Sequence, residues 1–153
     1  MPHQLDDYEA QSGRFEPIWT IEIQTLPGDT DRILDAVIDV FPLAYGKYER
    51  NASISAAGKE TSRPPAGSTT ATHVADFEPG RTETFPMVEL KISLPRDCDT
   101  LATVMDAILE VHHYEEPVVF LREDWASRAS YNPNNDNPNR WWNNGRGLPE
   151  RLE

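Results

Sequence analysis

Met87-Val88-Glu89-Leu90-Lys91-Ile92-Ser93-Leu94 puts an apolar side chain at every second position and a charged or hydroxyl side chain between them. Side chains of an extended chain point alternately to opposite faces, so this segment is a strand with one face in a core and the other in water. Pro95 stops it, because proline has no N–H for the ladder. The period then changes. Leu101, Val104, Met105, Ile108 and Val111 recur three and four residues apart, opposite Asp106 and Glu110. That is the stripe of an amphipathic helix, with Asp97 or Asp99 as its cap and an end expected near His113. Pro117-Val118-Val119-Phe120-Leu121 follows as another strand, with proline at its first position, where a missing N–H costs least.

The residues upstream repeat this plan. Trp19-Thr20-Ile21-Glu22-Ile23-Gln24-Thr25 alternates as a strand, and Pro27-Gly28-Asp29 breaks it. Asp29 or Thr30 can cap a helix carrying Ile33, Val37, Val40 and Phe41 and ending before Pro42. Residues 48–63 have weaker strand character, centred on Ser53-Ile54-Ser55, with Gly58 as a bend. Pro64-Pro65-Ala66-Gly67-Ser68-Thr69-Thr70-Ala71-Thr72 is too rich in Pro, Gly and Thr for a helix and reads as an excursion, with order returning near Met87. The order is β-α-β-β-α-β. An α+β, ferredoxin-like domain is expected, with a four-stranded antiparallel sheet and two helices on one face, because each helix has one apolar stripe.

On this reading residues 1–17 form a flexible leader, 18–124 the domain, and 125–153 an Asn/Pro/Trp-rich tail. The tail's composition argues against a helix or a central strand. Disordered tails seldom carry adjacent tryptophans, so Trp141 or Trp142 is expected to dock on the domain or on a neighbouring subunit, with 146–153 loose. The pair could instead stack on a ring or a sugar; covering a sheet edge or open face is the favoured role.

Composition narrows the function classes. With 153 residues the chain suffices for one domain with a real core. A formal net charge of −12 repels a phosphate backbone, so nucleic acid is not an expected partner. No apolar run is long enough to cross a bilayer, and the first residues have neither a basic start nor an apolar stretch, so a cytoplasmic protein with no membrane partner is expected. The single cysteine, Cys98, excludes an internal disulfide framework and a multi-thiolate zinc site.

From about Trp19 to Asp124 the residues resemble the PII-like, CutA-like domain inserted in the dinuclear-metal-centre proteins once labelled GTP cyclohydrolase type 2. Gly46-Lys47-Tyr48 followed by Ser53, Gly58, Arg63-Pro64 and Gly67-Ser68 is similar to that family's first signature. Val88-Glu89-Leu90-Lys91 is similar to its strand, and Ala107 through Pro117 to its helix ending in His-Pro-Tyr-Glu-Glu-Pro. His113 stands where the family has proline, and Ser62 where it has an aromatic residue before the Arg-Pro. The resemblance covers the inserted domain and not the metal-bearing one, so it carries over no hydrolase site. It implies a ferredoxin-like sheet that assembles with copies of itself, most often as a homotrimer.

Two groups of residues are candidates for a site. His112, His113, Glu115 and Glu116 offer imidazole and carboxylate donors that suit a divalent metal ion such as zinc, copper or nickel. Consecutive histidines on a helix point about 100° apart, however, and do not easily share one ion. The bland reading packs His112 against the sheet, puts Tyr114 at the helix end and leaves the glutamates to solvent or to a subunit boundary. His73 could complete an intersubunit metal site. Lys47, Arg50, Lys59 and Arg63 gather positive charge within residues 47–63 beside the Gly/Ser/Thr-rich loop, a setting for an anionic small-molecule effector. In PII-like proteins the corresponding loop senses nucleotides or other effectors. The alternative is that Lys59 and Arg63 pair with carboxylates across a trimer interface. No nucleophile–base signature appears, so no catalytic residue is assigned. The expected function is a non-catalytic, oligomeric protein binding a small effector or a metal ion at subunit boundaries. The alternatives are a small metal-dependent enzyme using His112, Glu115 and Glu116, and a purely structural interaction module.

Overall fold

A computed structural model describes residues 5, 8, 10–130, 132–145 and 147–152. The remaining residues of the expected leader (1–4, 6, 7 and 9) and of the tail (131, 146 and 153) lie outside the described residues.

Strand β1 (Gly13–Thr25) is followed by a short 3₁₀ turn at Pro27–Asp29, helix α1 (Thr30–Ile38), strands β2 (Ser53–Ile54) and β3 (Gly58–Ser62), and the short helix α2 (Thr69–His73). Strand β4 (Glu83–Pro95), helix α3 (Cys98–Val111), strand β5 (Val119–Ala129) and the one-turn helix α4 (Trp141–Asn144) complete the chain. The antiparallel sheet runs β2-β4-β1-β5, with β3 also on β4. This is the expected α+β ferredoxin-like arrangement. It has five strands among the described residues, because the second strand is split into β2 and β3.

Alternation fixes the core. Ile21, Ile23 and Thr25 of β1 lie beside Ile92, Leu90 and Val88 of β4 on the helix-covered face. Ile33, Leu34 and Val37 of α1 and Val104 and Ile108 of α3 close over them. Asp97 accepts hydrogen bonds from the Thr100 N–H at 2.8 Å and the Thr100 hydroxyl at 2.6 Å, so α3 starts where the sequence places its cap. The opposite face of the sheet is polar: Glu22 lies 3.7 Å from Lys91 and 3.3 Å from Arg122 across the strands.

The boundaries shift at both ends. β1 begins at Gly13, inside the expected leader, and β5 runs on to Ala129, inside the expected tail, because Gly13–Pro17 pair with Trp125–Ala129. Gly13 is required there: a Cβ would sit 2.6 Å from the Arg128 carbonyl oxygen. The excursion does contain a helix, against expectation. The Ser68 hydroxyl accepts from Ala71 N–H at 3.1 Å, capping α2 and overriding the poor helix propensity of its threonines. In the tail, Asx turns at Asn132, Asn135 and Asn137 lead into α4. In α4, Trp141 is 51% and Trp142 56% exposed.

Past Val88, β4 has no partner in β1 and pairs only with β3, from Gly58↔Met87 to Ser62↔Glu83. These two strands form a ribbon that leaves the sheet and carries residues 63–82 at its tip. Ser55 bridges the step from β2 to β3. Its N–H donates to the Glu89 carbonyl at 3.0 Å, and its hydroxyl accepts from the Glu89 N–H at 2.8 Å.

Candidate functional site

The helix-to-strand junction after α3 and the excursion after β3 meet in the fold. Residues 112–116 leave α3 beside the turn at Pro27–Asp29, and the ribbon brings α2 against them.

His112 is 8% exposed, and both ring nitrogens are engaged. Nε2–H donates to the Gln24 carbonyl at 2.9 Å, and Nδ1 accepts the Tyr114 N–H at 3.1 Å. That pattern requires the neutral ring in one tautomer. Burial pushes its pKa below the ordinary histidine value, partly opposed by the bond to Gln24. His112 is therefore a packing residue. The His113 ring stacks beside that of His112, centroids 5.4 Å apart, but its Nδ1 lies 2.6 Å from Asp29 Oδ2, and Asp29 also holds Arg32 at 2.8 Å. Arg32 Nε–H in turn donates to the Val111 carbonyl at 3.0 Å, tying α1 to the end of α3. Glu60 of β3 is near enough for His113 to lower its pKa, although partial burial dominates and raises it.

Glu115 reaches the excursion. Its two carboxylate oxygens each accept from Thr69 N–H at 3.0 Å, and one also accepts from Thr70 N–H at 3.4 Å. These bonds, those to Thr69 foremost, hold its carboxyl below the ordinary glutamate range. Glu116 is exposed. The structure thus gives His112, His113 and Glu115 three different tasks and does not converge them on a point. Among the described residues no group of three or more His, Cys, Asp or Glu is placed to hold a metal ion. His73 Nδ1 is taken up locally, 2.8 Å from Thr72 Oγ1 and 3.1 Å from the Thr69 carbonyl.

The basic candidates also part company. Arg50 turns to α1, 2.7 Å from Asp35 and 3.7 Å from Asp31. Arg63 donates from Nε and a terminal nitrogen to Thr82 Oγ1 at 3.1 Å, closing the base of the excursion. Lys59 is exposed on β3, and Lys47 is exposed in the loop after α1. Sequence reading missed Asp29 as the anchor of His113, having taken it only as a helix cap; no local signal connects two residues so far apart in the chain. It also missed a cleft of about 400 Å³ between α2 and the start of β4, lined by Val74, Phe77, Phe85, Arg81 and three carboxylates.

No family model matches the chain, and no curated protein matches its sequence. Among solved structures, a Bacillus cereus protein related to NIF3 matches 73% of this chain with a TM-score of 0.54 and 18% identity. The chain has a PII-like, CutA-like ferredoxin fold. It spans only 27% of the Bacillus protein's length, and at that identity the likeness concerns the fold alone. A periplasmic divalent cation tolerance protein, CutA from Archaeoglobus fulgidus, matches 69% of this chain and 81% of its own at 15% identity and a TM-score of 0.46. A nitrogen regulatory PII-like protein from Thiomonas intermedia K12, bound to ADP, AMP and bicarbonate, matches 75% of this chain and 98% of its own at 13% identity and a TM-score of 0.45. Among the described residues no helix is long and apolar enough to cross a membrane.

Proposed function

We propose that this chain is a non-catalytic, oligomeric protein of the PII-like, CutA-like kind, trimeric and cytoplasmic, that takes a small effector or a metal ion at subunit boundaries and answers by changing conformation. The observation that carries this reading is the bond from Glu115 to the first turn of α2. A single exposed carboxylate at the helix-to-strand junction holds the tip of the excursion, so a ligand that competes for Glu115 or for the α2 amides would release or re-seat the loop. Lys59 lies on the ribbon that carries this loop and Arg63 at the base of the loop, where an anionic effector could meet them. An acid–base role for His112 is disfavoured, because both of its nitrogens serve the backbone.

Light scattering combined with thermal shift tests the reading. A trimer mass is expected, together with a rise in melting temperature for at least one of the adenine nucleotides, simple anions or divalent metal ions. A ligand at a hundred times its Kd adds about 2.7 kcal/mol to the folded state. In Glu115→Gln the rise should vanish for a metal ion held by the carboxylate and grow for an anion that competes with it for the α2 amides. A monomer, or a trimer that responds to none of these ligands, overturns the proposal and leaves a structural module.

A further inference from the structure

We propose that the cleft between α2 and the start of β4 binds a small organic cation with an apolar body. The site lies within one chain, so it stands apart from the boundary reading above. Its volume, about 400 Å³, falls within the range of small-molecule sites. Val74, Phe77 and Phe85 give it apolar and aromatic walls. Phe85 is 42% and Val74 53% exposed, so these side chains are not consumed by the core.

Charge decides the class of ligand. Asp76, Glu78 and Glu83 line the same cleft, against the one guanidinium of Arg81. Arg81 lies 3.7 Å from Glu78 and 3.5 Å from Glu83, splitting one positive charge between two carboxylates. Asp76 has no ion pair or side-chain hydrogen bond to any described residue. The lining therefore carries two formal negative charges in excess beside two phenyl faces, and a cation over an aromatic face gains from both features. A nucleotide or other anion would meet the carboxylates and be repelled. A neutral apolar ligand would fill the walls and leave the carboxylates unbalanced.

The probe is 2-phenylethylammonium, with 2-phenylethanol and 3-phenylpropionate as neutral and anionic isosteres, titrated by NMR against the full chain. Saturable shifts are expected in residues 70–85 for the ammonium, with weaker binding of the alcohol and none of the carboxylate. Asp76→Asn should weaken the ammonium about tenfold, equivalent to about 1.4 kcal/mol. Asparagine tolerates the left-handed backbone that Asp76 adopts at φ 60°, so this variant keeps its fold. Arg81→Gln should tighten the ammonium, because it frees Glu78 and Glu83 from their internal cation. Equal binding of the three probes, a preference for the carboxylate, or no saturable binding of the ammonium overturns the proposal. So does an Asp76→Asn variant that only lowers the oligomer mass, which would mean that a partner chain's Lys or Arg occupies the cleft.

Discussion

Two junctions connect a helix to the next strand, one in each half of the domain, and they are built on opposite principles. Residues 39–52, after α1, are long and folded back on themselves: Arg50 N–H reaches the Pro42 carbonyl and Asn51 N–H the Leu43 carbonyl, both at 2.9 Å. An apolar plug fixes this loop. Leu43 is 1% exposed and held at φ 51°, a left-handed backbone that costs a branched side chain free energy, which burial of that side chain offsets. Residues 112–118, after α3, are short and fixed by polar bonds: His112 satisfies two backbone groups, His113 meets Asp29, and Glu115 meets α2. An apolar plug is silent to solutes. A junction made of charged and polar groups can be read by them, so the responsive chemistry belongs to the second junction.

The largest break in this comparison is Leu43→Ala. Emptying a fully buried leucine site costs about 2–5 kcal/mol, and denaturant unfolding should show a fall in that range with no change in ligand response. A smaller loss would mean that relief of backbone strain offsets the cavity.

His112→Ala comes next. It leaves the Gln24 carbonyl and the Tyr114 N–H without their ring partner; both are only partly buried and water can reach them, so the loss should lie toward the low end of the about 1–3 kcal/mol that an unsatisfied buried group costs. In the wild type this ring also gives the second junction a pH dependence. Burial lowers the folded pKa of His112 from its ordinary 6.5, so the unfolded chain binds the proton more readily. The stability this neutral ring contributes is present above pH 6.5 and is lost as pH falls toward the folded value. Partly buried Glu60, whose pKa is raised, works in the opposite direction as it takes up a proton. His112→Gln should therefore flatten the wild-type loss on acidification between neutrality and pH 5; an unchanged slope would assign that loss to other groups.

Glu115→Gln separates local from global effects. Its carboxylate is exposed, so the melting temperature should hardly move, while tryptic cleavage after Arg81 should speed up several-fold as α2 loses its tie. Cleavage at the wild-type rate would show that the excursion is held without it. Arg50→Ala, which removes only exposed ion pairs at the first junction, should change stability by less than about 1 kcal/mol.

The parts of the fold legible in sequence are those whose side chains are sorted by burial. Met87–Leu94 and the stripe from Leu101 to Val111 announced β4 and α3 because one face of each meets the core. Gly13–Pro17 and Trp125–Ala129 gave no such signal, since the ladder between them holds them in place and much of their side-chain surface stays wet. α2 escaped notice because one serine hydroxyl and one distant carboxylate create it. Of the candidate site, residues 112–116 were found as a run, but their tasks were not. The partners Asp29, Gln24 and Thr69 are brought there by the fold, and nothing in the local spacing names them.

The ribbon of β3 and β4 has a further consequence. A two-stranded ribbon is marginal alone in water, and here its inner end is stepped off the sheet by Ser55 and its outer end moored by Glu115. Its amides should therefore exchange with solvent by an opening that leaves the four-stranded body intact. The free energy of that opening lies well below the cost of unfolding the domain. Residues 58–62 and 83–87 should then exchange together, as one cooperative unit, ahead of β1 and the inner half of β4.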